Sequence, residues 1–590
     1  MTHPARFAFL TFVVGLVLCG AGIAVFTGSP SAPDALVFHN GTIRTVSGAG
    51  TVEALYIQDG RIAAIGDLDE VLAAAPRSVR RINLEGGTLT PGLIEPHTHP
   101  LAAALLATAT DISGRTYQTR EAIMTAIAEG AAQGGPSPWA ISFGWDPVML
   151  DDLHPPSLAE LDALSPDKPL VVLTQMMHEA FANSAALEAS GITAATPDPH
   201  DGFFERDETG ALTGRVVEVT AVRLLMSGIP QASEAALTFL LDGAYDEYAA
   251  AGYTTIGVAS LVGRARDPLT TLMSVSHADR PAINTILYTA PDQAGRAAPL
   301  FAGAAQTDAL RRFNGIKVWL DGSPFVGGAA TAEPYADTPL TRDVLGLEPG
   351  WLAPLAAERE ALFSLVERAQ RAGQQVAFHA QGERAIALAL DAIEAARGAS
   401  PDPDLHHRLE HLALITPEQI TRARSLNVSL GFFPDHIGNY GHRLDALFGP
   451  ERATRYMPIA EAVRQGAVTT IHGDHPASTI DAFRVMALPV HRLTLDESPL
   501  GQPVSGETAL ILMTLNAARQ LQLDDEIGSL EVGKRADLTW FDTDPVTAIE
   551  AGTDAAVRGT WLAGQPVDTR DWSRDRIGLA IKAAWGQLTR

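Results

Sequence analysis

The chain has 590 residues, 46% hydrophobic and 19% charged: too long for one compact core and too apolar for a disordered chain. With 69 acidic against 43 basic side chains its formal net charge is −26, which repels phosphate backbones and excludes nucleic acid as an expected partner. A single cysteine, Cys19, excludes an internal disulfide and thiolate metal clusters, so any cation must be held by His, Asp, Glu or a modified Lys.

Phe7–Phe26 is an almost unbroken apolar run, with Arg6 before it and Gly28-Ser29-Pro30 after. A signal-peptide core spans about 7–15 residues and a bilayer-crossing helix about 20. Residues 1–30 are therefore expected to form an uncleaved membrane anchor, with Arg6 keeping the amino end in the cytoplasm. The alternative is a signal cleaved near Ser31-Ala32. In either case the body of the protein is expected in the periplasm, anchored to the inner membrane or secreted.

Short strand-like runs follow at Ala35–Val46 and Ala54–Gly66, where Asn40-Gly41 and Asp59-Gly60 are hairpin signals. Similar runs return at Ala536–Asp542 and Val557–Val567. Together they predict a small β-sandwich built from both ends, residues 31–88 and 501–570, with 501–570 also completing the barrel described next. Between them lie eight buried strand-like runs: Thr88–Glu95, Tyr253–Ser260, Asn284–Ala290, Gly315–Asp321, Gln375–His379, Arg408–Leu412, Val428–Phe433 and Val468–Asp474. Helical stretches such as Ser233–Ala251, Ala356–Ala372 and Glu383–Ala396 separate most of them. This alternation predicts an α/β fold, a (β/α)₈ TIM barrel over residues 89–500. Residues 103–230 break the alternation and are expected to be an insertion after the first strand; residues 571–590 are read as a tail forming a surface helix.

The sharpest local signal is Pro91–Pro100, which carries His97 and His99. Residues i and i+2 of an extended strand share a side, so the two imidazoles can grip one cation. Lys317, His379, His411 and Asp474 also fall in or near the ends of predicted strands, where barrel enzymes keep their chemistry. Four His, one Lys and one Asp in matching positions are hard to attribute to packing. Other histidines have plainer alternatives: His178, His436, His472 and His475 as ordinary loop or core residues, and His154, His200, His406 and His407 as surface residues.

These residues resemble the amidohydrolase superfamily, in the branch of N-substituted formamide deformylases and D-aminoacylase-like proteins. The resemblance extends to Gly144-Trp145-Asp146, Asn183–Leu187, Glu333-Pro334-Tyr335 and the stretch from Thr514 to Asp537. It implies a metal-dependent hydrolase that cleaves a non-peptide C–N bond of a small molecule with a metal-bound hydroxide. It further implies two divalent ions, zinc before manganese or iron, one held by His97, His99 and Asp474 and the other by His379 and His411. Lys317 would bridge them as a carboxylated lysine, its alternative being an ion-pair partner in the barrel. Asp474 would shuttle the proton, and His178 or the second metal would polarise the substrate carbonyl. Trp145, His436 and His475 are the candidate substrate contacts. The chain departs from the common Gly-Ser-Asp by reading His472-Gly473-Asp474.

Three rival readings are a dipeptidase or D-aminoacylase-like hydrolase of carboxylate-bearing substrates, a non-catalytic solute-binding barrel and a membrane-anchored scaffold. The first needs a cation at the pocket mouth, for which Arg384 and Arg443 are candidates. Trp145, Met176, Met177, Phe203 and Phe204 hint at a bulky apolar substrate group, but are expected to serve the insertion's own core. Homo-oligomerisation stays open.

Overall fold

The computed structural model describes residues 31–133, 137–199, 202–263, 265–278, 280–302, 310–399, 405–570, 576–579 and 581. The expected anchor over 1–30, His200 and most of the tail lie outside the described residues. Among the described residues no helix is long and apolar enough to cross a membrane.

Eight parallel strands form the central sheet: β1 (Leu93–Thr98), β2 (Tyr253–Ala259), β3 (Asn284–Thr289), β4 (Arg311–Trp319), β5 (Gln375–Ala380), β6 (Arg408–His411), β7 (Ser429–Phe432) and β8 (Thr469–Ile471). Each pairs with the next in sequence, so the strand order is the chain order. The sheet's two edges meet where Gly473 N donates to Glu95 Oε2 at 2.8 Å and His99 N to His475 O at 2.9 Å. This is the predicted TIM barrel. Every residue of β2 is buried, as expected of a parallel strand covered on both faces. The helix Arg359–Arg371 buries Leu362, Val366, Ala369 and Gln370, one stripe at helical spacing, and leaves its charged face to solvent.

The two chain ends build two further sheets. Ala35–His39, Ala54–Gln58, Arg61–Gly66 and Arg80–Asn83 form one. The other comprises Thr42–Arg44, Thr51–Val52, Thr88–Pro91, Leu538–Phe541, Val557–Leu562 and Gln565–Pro566. Leu36, Phe38, Leu55 and Ile57 from the first pack with Ile43, Leu89, Leu538 and Trp561 from the second in a single core. Asp59-Gly60 is a hairpin turn, with Gln58 opposite Arg61. Asn40-Gly41 is not: it carries the chain from one sheet to the other, and a Cβ at Gly41 would lie 2.4 Å from Gly87 O.

A second difference concerns the run Thr88–Glu95. It is two strands, because Thr88–Pro91 pairs with Leu538–Phe541 in the terminal sheet and only Leu93 onward enters the barrel. The switch occurs at Gly92, whose N–H donates to Asp537 O. A Cβ there would sit 2.0 Å from Thr254 Oγ1 and 2.5 Å from its Cγ2. Gly92→Ala is therefore expected to cost about 1–3 kcal/mol of stability by overpacking, read as a lower denaturant midpoint. An unchanged midpoint would mean that the crossing is not tightly packed.

The insertion carries its own six-stranded sheet, in the order Phe203–Arg206, Leu212–Val217, Glu179–Ala182, Leu170–Thr174, Ala140–Trp145, Thr110–Asp111. Along Leu170–Thr174 the side chains alternate between two cores, Val171 and Leu173 in one and Leu170 and Val172 in the other. The sheet is thus covered on both faces. Trp145 and Phe204 belong to these cores, while Phe203 is exposed.

Candidate active site and metal centre

The ends of β1, β4, β5, β6 and β8 converge on one cluster. Glu95, His97 and His99 follow one another at two-residue spacing on β1 and its exit, so all three face inward. His97 Nε2 meets Lys317 Nζ of β4 at 3.0 Å. Asp474 Oδ1 lies 3.3 Å from His99 Nε2 and 3.5 Å from His97 Nε2, and its Oδ2 lies 3.9 Å from His411 Nδ1. The rings of His379 and His411 are 4.5 Å apart, centroid to centroid. All six predicted ligands therefore meet in one place.

Backbone strain helps assemble them. Strict alternation along β6 would send Glu410 and His411 to opposite sides of the sheet. His411 has φ +74° and Leu412 φ +56°, so the chain turns out of the strand there and both consecutive side chains reach the centre. Asp474, at φ +49°, is placed in a similar way.

Three buried carboxylates with no motif of their own in the sequence hold the cluster. Glu410 Oε2 pairs with His97 Nδ1 at 2.8 Å, and its Oε1 is bound by Arg408 Nε. Asp321 Oδ1 pairs with His379 Nδ1 at 3.0 Å, while its carboxylate also accepts the backbone N–H groups of Ala330, Gln381 and Gly382. Such carboxylate–imidazole pairs fix ring and tautomer and leave Nε2 to another partner, which for His97 is Lys317. Glu95 accepts from His97 N and Gly473 N, and burial pushes its carboxyl up to about 8.

The electrostatics favour neutral imidazoles. Burial, then the nearby Lys317 and other imidazoles, hold His97 well below the usual histidine range; burial and His379 do the same to His411. Burial brings Lys317 down to about 8. For Asp474 burial acts upward, but the contact with His99 and the basic groups around it prevail and keep its pKa below normal. The result is a set of lone pairs with one carboxylate.

Whether these residues fit a cation can be judged from atoms without partners. His411 Nδ1 and Asp474 Oδ1 are buried with no hydrogen bond, a costly state that a cation would relieve. The ligand atoms of His97, His99 and Asp474 all lie within 4.8 Å of one another. The donor set suits a divalent ion. A second grouping, His97, Glu410 and His472, lies on the Nδ1 side of His97, where Arg408 already pairs with Glu410. It is the orienting side.

The remaining candidates separate. His178 lines a cavity next to the cluster, with Nδ1 on Glu218 Oε2 at 2.9 Å. His436 is buried against Phe325 and Phe433, Nδ1 on the Tyr456 hydroxyl at 3.1 Å and Nε2 unpartnered. His472 stacks between His97 and Phe433. His475 Nδ1 bonds Ser478 O at 2.7 Å. Trp145 edges the cavity, but its ring is buried in the insertion core. His407, expected at the surface, is buried, with Nδ1 accepting from Val376 N and Nε2 on Gln370 Oε1: it pins β5. Arg384 donates to Ala353 O, and Arg443 to Val148 O and Asp151.

Trp319 went unnoticed in the sequence. It stands two residues beyond Lys317 on the inward-facing register, 38% exposed, with its ring 5.4 Å from Lys317 Nζ.

The amidohydrolase family pattern matches residues 80–568. An N-substituted formamide deformylase of Arthrobacter pascens is 27% identical over 532 residues, covering 87% of this chain and 94% of the relative. The protein LONG AFTER FAR-RED 3 of Arabidopsis thaliana is 26% identical over 544 residues, covering 90% and 91%. Among solved structures, an uncharacterized metal-dependent hydrolase from Pyrococcus horikoshii OT3 superposes with a TM-score of 0.68 at 23% identity, over 88% of this chain and all of that one, a likeness of fold. With an eight-stranded barrel, six converging ligand candidates and a match over most of its length, the chain belongs to the amidohydrolase family and is a hydrolase of C–N bonds other than peptide bonds.

Proposed function

We propose that this hydrolase cleaves an amide, formamide or carbamate-type C–N bond of a small molecule, with Asp474 as the group that moves the proton. The observation carrying this reading is the position of Asp474, one carboxylate in contact with His97, His99 and His411, with Oδ1 left unpartnered.

In this reading His97, His99 and Asp474 would hold one divalent ion, zinc by donor type, and His379 and His411 a second, with Lys317 available to both as a carbamate. Lys317 supports that role because it meets His97 Nε2 rather than a carboxylate, and because burial favours the neutral amine that adds CO₂. When bound, a divalent ion supplies Lewis acidity and makes water ionisable near neutral pH. Asp474 takes up the water's proton and returns it to the departing nitrogen, which leaves poorly as an anion. Glu410 and Asp321 keep His97 and His379 in place, and His178, steadied by Glu218, has Nε2 for the substrate carbonyl. Arg443 is engaged by Val148 O and Asp151, which takes one of the two candidate cations away from the carboxylate-bearing alternative.

The test is a panel of N-acyl, N-formyl and carbamate compounds offered to zinc-loaded full-length protein, with amine release as the readout. Turnover of at least one class is expected, lost on chelation and restored by zinc. No release from any compound, or turnover that survives complete removal of metal, would reject the proposal.

A further inference from the structure

A cleft with about 540 Å³ of empty space, the open solvent at its mouth included, lies between the insertion and the segment after β4, with His178 in its lining. Two links fix its position. Gln175, on its wall, donates through Nε2 to Ala477 O at 2.7 Å, three residues beyond Asp474. Phe325, on the opposite side, packs 4.7 Å from His436, which lies 4.5 Å from Phe433, itself 6.2 Å from His411. None of the six ligand candidates lines the cleft, but His178 does, so a substrate whose carbonyl meets His178, as in the proposed function, would extend a substituent into it.

The walls are mostly apolar: Trp145, Met176, Val217, Phe325, Val344 and Leu345. The charged lining groups are Asp146, His178, Glu179 and Arg215, and each is already matched. Arg215 is bound by Glu179 and, at 3.0 Å, by Glu205. His178 faces Glu218. Asp146 accepts from Val148 N and Met149 N, each at 3.0 Å, and from the Tyr440 hydroxyl. The Thr174 hydroxyl donates to Glu179 O, as Gln175 does to Ala477 O. The one cation of the lining that is always charged thus faces two carboxylates, and the surroundings are acidic overall. A carboxylate entering here would lose its water and gain no counter-ion.

We infer that this cavity selects substrates carrying an uncharged, apolar aryl or branched-alkyl substituent and excludes carboxylate-bearing ones. The inference rests on the proposed hydrolase for the place of the reacting centre and adds the class of substrate. Specificity lies in the walls contributed by Met176 and by Phe325, Val344 and Leu345 after β4, more than in the aromatic residues sunk in the insertion.

The test compares N-cyclohexylacetamide with N-(4-carboxycyclohexyl)acetamide by calorimetric titration of the full-length protein, a readout independent of turnover. The uncharged amide is expected to bind at least about tenfold tighter, since an unmatched buried charge costs more than a missing methylene. Val344→Arg, which adds an unmatched cation, should narrow or reverse that ratio. Equal or tighter binding of the carboxylate by the unaltered protein, or no binding of either amide, overturns the inference. The tenfold preference without hydrolysis of any panel compound would sink the hydrolase reading alone. Hydrolysis without the preference would sink the subsite alone.

Discussion

Asp474→Asn is expected to lower kcat by about 10²–10⁴ while leaving KM little changed, the range for loss of a positioned general acid–base group. The amide keeps the size of the carboxylate and one oxygen donor, so the imidazoles 3.3–3.5 Å away need not move. What it loses is the ability to take up and return a proton. Elemental analysis of the same variant separates the roles: metal partly retained with turnover lost assigns Asp474 to proton transfer, metal lost in full assigns it to ligation. Full turnover would exclude both.

Glu410→Ala should destabilise the barrel by about 3–5 kcal/mol, the penalty for leaving one member of a buried ion pair alone. The Glu410 side chain is 0% exposed and that of Arg408 1%. Arg408 Nη2 reaches Pro96 O at 2.8 Å, but Nη1 has no partner even with Glu410 present. Without the carboxylate the guanidinium is a bare charge under the cluster, although the Tyr288 ring, 4.9 Å away, offers some compensation. Divalent-ion affinity should fall by about 10–100-fold as well, because His97 loses the partner of its Nδ1. Denaturant unfolding checks the first effect and metal titration the second. The paired change Arg408→Met with Glu410→Leu should cost less than Glu410→Ala alone, since it removes both charges. A single-variant cost below about 1 kcal/mol would show that water reaches the pair.

Much of the site was legible because its residues obey a local rule. Barrel chemistry sits at the ends of buried strands, and strands show themselves as short apolar runs between turns and helices, so Lys317, His379, His411 and Asp474 can be placed from the sequence. The His97–His99 pair obeys the period of two. Glu410 escaped because the same rule, applied to β6, lets only one of two neighbours face the centre. The positive φ at His411 that breaks the rule has no mark in the sequence. Asp321 closes the predicted run Gly315–Asp321, but nothing local marks it as a partner of His379, and only the turn back to the β5 exit brings the two together. His407 looked like a surface residue in a polar stretch, yet the neighbouring strand covers it.

The amino-acid sequence by itself determined the barrel, the order of its strands and the six residues that meet at its mouth, because periodicity and strand-end position are properties of short stretches. The tertiary structure alone decided where Gly92 divides one apolar run between two sheets, which carboxylates stand behind His97 and His379, and what lines the cavity. Those depend on distances between segments hundreds of residues apart, set by packing and by a few strained backbone angles that no local pattern encodes.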